Sequence, residues 1–222
     1  PFFTQWDTPF GVPPFDKIRA EHFMPAFERG MSLHDAEIDA ITSNNDEPTF
    51  ENTILAYDNA GQMLAQTELI FGMLCAAETN ERMQALQEQV MPLLSAHRDK
   101  IRLDEKLFAR VKDVYDRRAS LGLDAEQSRL LRKTYDAFVR SGALLDAGQK
   151  ARLKEINGEL SLTAVKFGNN ILAENNNFAL ELTADDLEGL PSGVRDAARE
   201  KAQAMGKGDK WVFTLHKPSL IP

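Results

Sequence analysis

The sequence predicts a mainly α-helical protein of the α+β class: a multi-helix domain with a long spanning helix and a small two-strand element near the C-terminus. Before residue 176, apolar residues recur every three or four positions, which is the spacing of one helix face. After it, two short segments alternate apolar with polar or smaller residues, as strands do. We therefore expect residues 1–176 to form a helical part and residues 177–222 a strand-helix-strand part.

The first two helices are expected between residue 25 and residue 78. One follows Pro25, with an irregularity at Gly30. The next is a single central helix over 46–78 that uses Thr49 as its N-cap. The inward positions expected for the two helices are Phe27, Met31, Ile38, Ile41, Ile54, Tyr57 and Leu64.

Three further helices carry their own start and stop signals. Asn80 caps a helix that Pro92 should kink or divide. The next helix lies within residues 104–122 and stops at Gly122. The third begins at Asp124, with Gln127 completing a capping-box variant, and ends at Gly142.

The longest predicted helix runs from about Asp146 to Asn175. About 30 helical residues extend roughly 45 Å, so this helix should cross the whole structure. Gly158 and Gly168 lower its helix propensity, which favours a neighbouring backbone packed close to them. The expected apolar side of the helix consists of Leu153, Ile156, Leu160, Ala164, Phe167 and Ile171.

Two strands are predicted near the C-terminus, in NFALELT and in KWVFTLH. A helix from about Val194 to Met205, ending at Gly206, lies between them. The sequence closes with KPSLIP just after the second strand, which would leave an open sheet edge. We therefore expect the natural polypeptide to continue and to cover that edge.

Composition and charge exclude two classes of function. Hydrophobic residues make up 43% of the chain and charged residues 27%, which is typical of a soluble globular protein. The net charge of -8, with basic and acidic residues interspersed, argues against a nucleic-acid partner. The longest uncharged apolar stretch, Leu69 to Ala77, is far shorter than the roughly 20 residues of a membrane span.

Cysteine content and the first residue say little about the compartment. The single cysteine, Cys75, lies in the apolar run LIFGMLCAA and is expected to be a buried, inert thiol. The chain starts at Pro1 without Met, which predicts a start trimmed by a signal peptidase or during preparation of the protein. The expected localisation is cytoplasmic or periplasmic, with the cytoplasm favoured.

The sequence offers no recognisable zinc site. A hydrolytic zinc centre needs about three protein ligands, and two of them are often histidines four residues apart on a helix with Glu after the first. Glu21 precedes His22 instead of following it, so this pair is interpreted as a helix cap or packing contact. No such spacing occurs among the four histidines, which are His22, His34, His97 and His216.

Other catalytic patterns are also missing. There is no G-x-S-x-G motif, and GKGDK at 206–210 lacks the spacing of a phosphate loop and is interpreted as a turn. Asp185, Asp186 and Glu188 lie beside a turn and are interpreted as solvated rather than as an acid/base pair. We therefore predict no catalytic, cofactor-binding or metal-binding residue in this chain.

Several separated segments resemble the N-terminal region of the zinc oligopeptidases of the thimet oligopeptidase family, and the likeness is strongest to the bacterial peptidyl-dipeptidase (dipeptidyl carboxypeptidase) branch. They cover nearly the whole chain in order. The segments are PPFDKIRAEHFMPAFERGM, EPTFENTILAYDNAGQML, AHRDKIRLDEKLFARVKDVYDRRASLGLD, SGALLDAGQKARLKEINGELSLTAVKFGNNIL and LEGLPSGVRDAAREKAQAMGKGDKWVFTL.

The resemblance implies a mostly helical zinc metallopeptidase with a deep channel, in which an HExxH helix and a downstream Glu hold zinc. It implies hydrolysis of short peptides and, in the peptidyl-dipeptidase branch, release of C-terminal dipeptides. The present sequence stops before the zinc ligands, so no catalytic residue carries over. What carries over is a wall of the channel, with the C-terminal catalytic portion of the same polypeptide as partner and zinc bound outside this chain. The alternative is a self-sufficient helical protein-binding module without enzymatic activity.

Overall fold

The computed structural model describes residues 1–220 and confirms the predicted class, since helices dominate and a small sheet lies near the C-terminus. The chain divides into two compact units, Pro1–Thr163 and Ala164–Pro222. This division falls inside the longest helix, Ala147–Asn177, whereas the boundary drawn from the sequence at residue 176 lies at the end of that helix. The domain boundary therefore stays a prediction.

Six α-helices lie in the first unit, and a seventh begins there. They are α1 (Phe23–Thr42), α2 (Ala56–Asn59), α3 (Gln62–Ala77), α4 (Glu81–Arg102), α5 (Glu105–Asp116), α6 (Ala125–Arg140) and α7 (Ala147–Asn177). Short turns of 3-10 or π-helix supplement them at Pro9–Gly11, Ala20–His22, Phe50–Leu55 and Arg118–Ser120.

The second unit contains the end of α7 and the predicted strand-helix-strand element. Its further elements are β1 (Leu180–Leu182), a 3-10 turn (Ala184–Leu187), α8 (Ser192–Ala204), β2 (Trp211–Phe213) and α9 (Lys217–Leu220). The two strands pair antiparallel, with Glu181 opposite Val212. Val212 is buried and lies between β1 and α8, so the sheet and the helix share a small core. None of the helices in the described residues is long and apolar enough to cross a membrane.

Two apolar clusters form the core of the first unit. One joins the C-terminal half of α1, the π-helical turn, α5 and α6, and its fully buried members include Ile54, Leu107 and Phe138. The other joins the N-terminal segment, α1, α3 and α4 around Phe23, Phe27 and Phe71. The edge of the Phe71 ring meets the Phe27 ring with centroids 5.4 Å apart, a favourable aromatic geometry. This contact packs α1 against α3, and residues of α4 belong to the same cluster.

Three predicted capping residues are confirmed by their hydrogen bonds, whereas the helix expected after Pro25 begins earlier, at Phe23, without a side-chain cap. The Thr49 hydroxyl accepts the N–H of Asn52 at 3.1 Å, and the Asn80 side chain accepts the N–H of Met83 at 3.0 Å. Asp124 and Gln127 exchange two hydrogen bonds in the predicted capping box. Such caps satisfy backbone donors that the first turn of a helix leaves unpaired.

The prediction of one helix over 46–78 is wrong, because the chain breaks at Ala60 and Gly61. Gly61 has a φ of +75°, and its N–H donates to the Glu37 carboxylate at 2.7 Å. A Cβ at this position would lie 2.9 Å from the His34 ring. Both the backbone conformation and the close approach therefore require glycine here.

Three other local expectations need correction. Helix α4 is not divided at Pro92 but runs through it. Helix α5 ends at Asp116, before Gly122, because a 3-10 turn at Arg118–Ser120 intervenes. Gly30 produces no irregularity, since α1 is continuous there and a Cβ would lie 3.0 Å from the Leu64 Cα atom. The glycine lets α1 and α3 pack closely.

Candidate functional site

A cleft of about 840 Å³ opens in the first unit. Residues from α1, α2, α3 and α4, the end of α6 and the beginning of α7 line it. Its polar lining includes His34, Glu68, His97, Arg98, Asp99, Arg102, Arg140 and Asn157, and its apolar lining includes Tyr57, Leu64, Leu69 and Leu153. The buried His97 and the half-buried His34 are among these polar lining residues.

Two histidines meet at the wall of this cleft. His97 Nε2 lies 3.1 Å from His34 Nδ1, so one ring donates a hydrogen bond to the other. The Asp35 carboxylate lies 3.7 Å from His97 Nδ1 and favours a proton on that nitrogen. In that tautomer His97 Nε2 accepts and His34 Nδ1 donates. The Asp35 carboxylate also binds Lys100 at 2.8 Å.

Burial lowers the pKa of both histidines. For His34 the desolvation outweighs the opposing influence of Glu37, Asp35 and Glu68, which lie nearby. For His97 the desolvation outweighs Asp35, and the charges of His34, Lys100 and Arg98 lower the pKa further. The pair is therefore held in the neutral form at neutral pH.

The depressed pKa values predict a loss of stability in mild acid. The unfolded chain binds protons near the ordinary histidine pKa of about 6.5, whereas the folded pair resists them. The free energy of unfolding should thus be constant above that pH and fall as the pH drops toward 5.5. Thermal unfolding between pH 7.5 and 5.5 measures this effect.

A double variant, His34→Gln with His97→Gln, should flatten this pH dependence, whereas His216→Gln, which changes an exposed histidine, should leave it intact. If the unfolding temperature of the double variant is as sensitive to pH as that of the parent, the histidine pair is not the cause of the pH dependence.

The remaining residues noted in the sequence have local roles. His22 Nδ1 accepts the N–H of Arg19 at 3.0 Å, which confirms its interpretation as a cap. Asp186 accepts the N–H and the hydroxyl of Thr183, and these hydrogen bonds lower its pKa. Cys75 is only partly buried, against the expectation of a buried thiol, and burial raises its pKa. A raised pKa disfavours the reactive thiolate.

Sequence reasoning missed the histidine pair because the two residues lie 63 positions apart. One signal was available: His97 continues the apolar spacing of Val90, Leu94 and Ile101 along α4 and so belongs to its inward face. Within residues 1–220, no group of three or more His, Cys, Asp or Glu side chains is arranged to hold a metal ion. Two imidazoles that hydrogen-bond to each other do not fit a zinc centre, which takes three protein ligands or more.

Helix α7 is the second notable feature, because its predicted inward side is exposed. The exposed fractions are 61% for Leu160 and 66% for Phe167. Ile156 and Ile171 are also exposed, and Val165 is the buried residue of this helix. The four exposed residues fall within about 60° of one another around the helix axis. In the described residues the side chains of this apolar stripe are only partly covered, with exposed fractions from 43% to 66%.

The two glycines of α7 were expected to lie against a neighbouring backbone, and this expectation is also not met. A Cβ placed on Gly158 or Gly168 would find no atom of the described residues within 4 Å. The close backbone contact that these glycines predicted is therefore not made by the described residues.

Comparison with known proteins identifies the relatives of the chain. No protein-family model matches it. Dipeptidyl carboxypeptidase of Escherichia coli (strain K12) is 38% identical over 97% of this chain and 32% of that protein. The enzyme of the same name from Salmonella typhimurium is 36% identical, with the same coverage of 97% and 32%. This chain is therefore similar to these peptidases over nearly its whole length and over about a third of theirs.

A less similar relative matches the same share of the chain. Oligopeptidase A of Escherichia coli is 25% identical over 97% of the chain and 32% of that protein. The chain thus spans about a third of the length of the curated relatives that it matches. The resemblance found in the sequence is confirmed over the whole of this range.

Proposed function

We propose that this chain is the N-terminal, non-catalytic, channel-wall portion of a zinc metallopeptidase that hydrolyses short peptides and releases C-terminal dipeptides. The observation that carries the proposal is the exposed apolar stripe on α7, in a chain that spans about a third of the length of the peptidases it matches. A stripe of four large apolar side chains is normally buried against other protein. The C-terminal catalytic portion of the same polypeptide is the proposed cover.

Zinc belongs to the rest of the polypeptide in this proposal. The described residues supply no third ligand beside His34 and His97, so no catalytic step is assigned to this chain. When bound elsewhere, zinc would activate a water molecule for attack on the peptide carbonyl. The helices of this chain act sterically: they fix one side of the channel and restrict it to short or unfolded peptides. The compartment that we propose is the cytoplasm or the periplasm.

The test compares the complete gene product with the chain of residues 1–222. We expect the complete protein to bind zinc and to release dipeptides from a short peptide with a free C-terminus, and a chelator should abolish the reaction. The chain of residues 1–222 should do neither. Zinc-dependent dipeptide release by the short chain, or its absence from the complete protein, would refute the proposal. A gene that ends at residue 222 would favour the protein-binding module instead.

A further inference from the structure

Two cavities of the first unit meet at the same pair of arginines. The cleft that contains the histidine pair has a volume of about 840 Å³, and a neighbouring cavity along α6 has about 560 Å³. Arg102, Arg140 and Ser141 line both of them. A ligand that occupies both cavities would therefore lie close to these two arginines.

The cavity along α6 is strongly basic, although the chain has a net charge of -8. One carboxylate, Asp136, faces five cationic side chains, which are Arg102, Arg129, Arg132, Lys133 and Arg140. Within the part of the chain that the structure describes, none of these five forms an ion pair. Unneutralised cations that converge on one cavity attract an anion.

The Arg102 side chain lies against two aromatic rings and forms no ion pair with the described residues. Its guanidinium carbon lies 5.6 Å from the ring centroid of Tyr57 and 5.2 Å from that of Phe138, so aromatic rings fix its orientation. Its Nη1 atom is buried and finds no acceptor among the described residues. A donor buried in this way is costly. An anion on the open side of the guanidinium would offset part of that cost by neutralising the charge.

The larger cleft adds an apolar wall to this basic end. Tyr57, Leu64 and Leu153 line it beside the two arginines. Its own carboxylates are already engaged, since Glu68 binds Arg98 and Asp99 accepts a hydrogen bond from Asn157 at 2.7 Å. The combination fits a ligand with apolar groups and a carboxylate, because a guanidinium can bind both oxygens of a carboxylate.

We propose that these two neighbouring cavities together bind a peptide through a carboxylate that lies on Arg102 and Arg140, with its apolar side chains in the larger cleft. The choice of a peptide rests on the proposed function. The site lies on this chain and provides a place for acidic peptides.

Isothermal titration calorimetry on the chelator-treated complete gene product tests the proposal. The probes are an acidic hexapeptide with two Glu residues and its neutral twin, which has Gln at these positions and an amidated C-terminus. We expect the neutral twin to bind about tenfold more weakly. Arg140→Gln should weaken binding of the acidic peptide by a similar factor and leave the neutral twin unchanged. Arg140 is exposed, so this variant should fold, and thermal unfolding verifies that.

Arg118→Gln is the matched control, because Arg118 lies over the Tyr115 ring at 4.2 Å but lines neither cavity. It should bind the acidic peptide as the parent does. A second variant, Arg102→Lys, keeps the charge but loses the planar fork and should also weaken binding. Equal affinity for the two peptides would overturn the proposal, and so would unchanged binding by Arg140→Gln. Inorganic phosphate should compete with the acidic peptide, and failure to compete would count against a shared anion site.

The two proposals fail in different ways. Peptide hydrolysis by the complete protein without any effect of Arg140→Gln on binding would overturn the carboxylate site alone. An effect of Arg140→Gln in a protein that hydrolyses no peptide would overturn the peptidase function and leave the carboxylate site standing.

Discussion

The double variant Leu160→Asp/Phe167→Asp is expected to unfold like the parent in the chain of residues 1–222 but to destabilise the complete polypeptide and abolish peptide hydrolysis. In the short chain both side chains are mostly exposed, 61% and 66%, and surface substitutions usually change the free energy of unfolding by about 0.5 kcal/mol or less. In the complete protein each Asp would be buried without a partner. That should cost about 3 kcal/mol or more.

Urea unfolding and dipeptide release measure the two effects. Lys166→Asp/Ala173→Asp is the matched control, because both residues are exposed on α7 and lie more than about 90° around the helix from the centre of the apolar stripe. It should leave the complete protein stable and active. If the Leu160 and Phe167 variant is equally stable and active in the complete protein, the stripe is not an interface.

Phe27→Ala is expected to reduce the free energy of unfolding by about 3–5 kcal/mol, the cost of deleting a buried aromatic side chain. Phe27 is fully buried, and its ring packs on those of Phe23 and Phe71, with centroids 6.4 Å and 5.4 Å away. The loss would leave a cavity between α1 and α3. Urea unfolding of the chain of residues 1–222 measures the change in the free energy of unfolding.

Phe167→Ala deletes the same atoms from an exposed position and should change the stability of this chain by about 0.5 kcal/mol or less. Similar losses for Phe27→Ala and Phe167→Ala would contradict the burial that the structure assigns to the two rings.

Local signals in the sequence predicted most helix starts, since a cap needs only residues three apart, as with Asp124 and Gln127. Breaks that depend on distant neighbours were missed. Gly61 interrupts the expected central helix because Glu37 binds its N–H and the His34 ring lies against it. Gly30 was expected to disturb α1, yet it serves the close approach of Leu64 from another helix. Neither contact has a local signature.

The apolar side of α7 illustrates a different limit. Periodicity predicts which side chains share a face, and Leu160 and Phe167 do share one, but it does not say what covers that face. The histidine pair of the candidate site could not be predicted from periodicity either. His34 and His97 are far apart in the sequence, and only the packing of α1 against α4 brings their rings together. The arginines of the basic cavity likewise come from two helices, α4 and α6.

Hydroxyl-radical footprinting of α7 tests most directly whether another part of the polypeptide covers this helix. The oxidation rates of Leu160, Phe167 and Ile171 are compared between the chain of residues 1–222 and the complete gene product, with an exposed residue of the N-terminal segment, Phe10, as internal reference. The account predicts rapid oxidation of the three residues in the short chain and several-fold protection in the complete protein. Equal oxidation in the two proteins would contradict it.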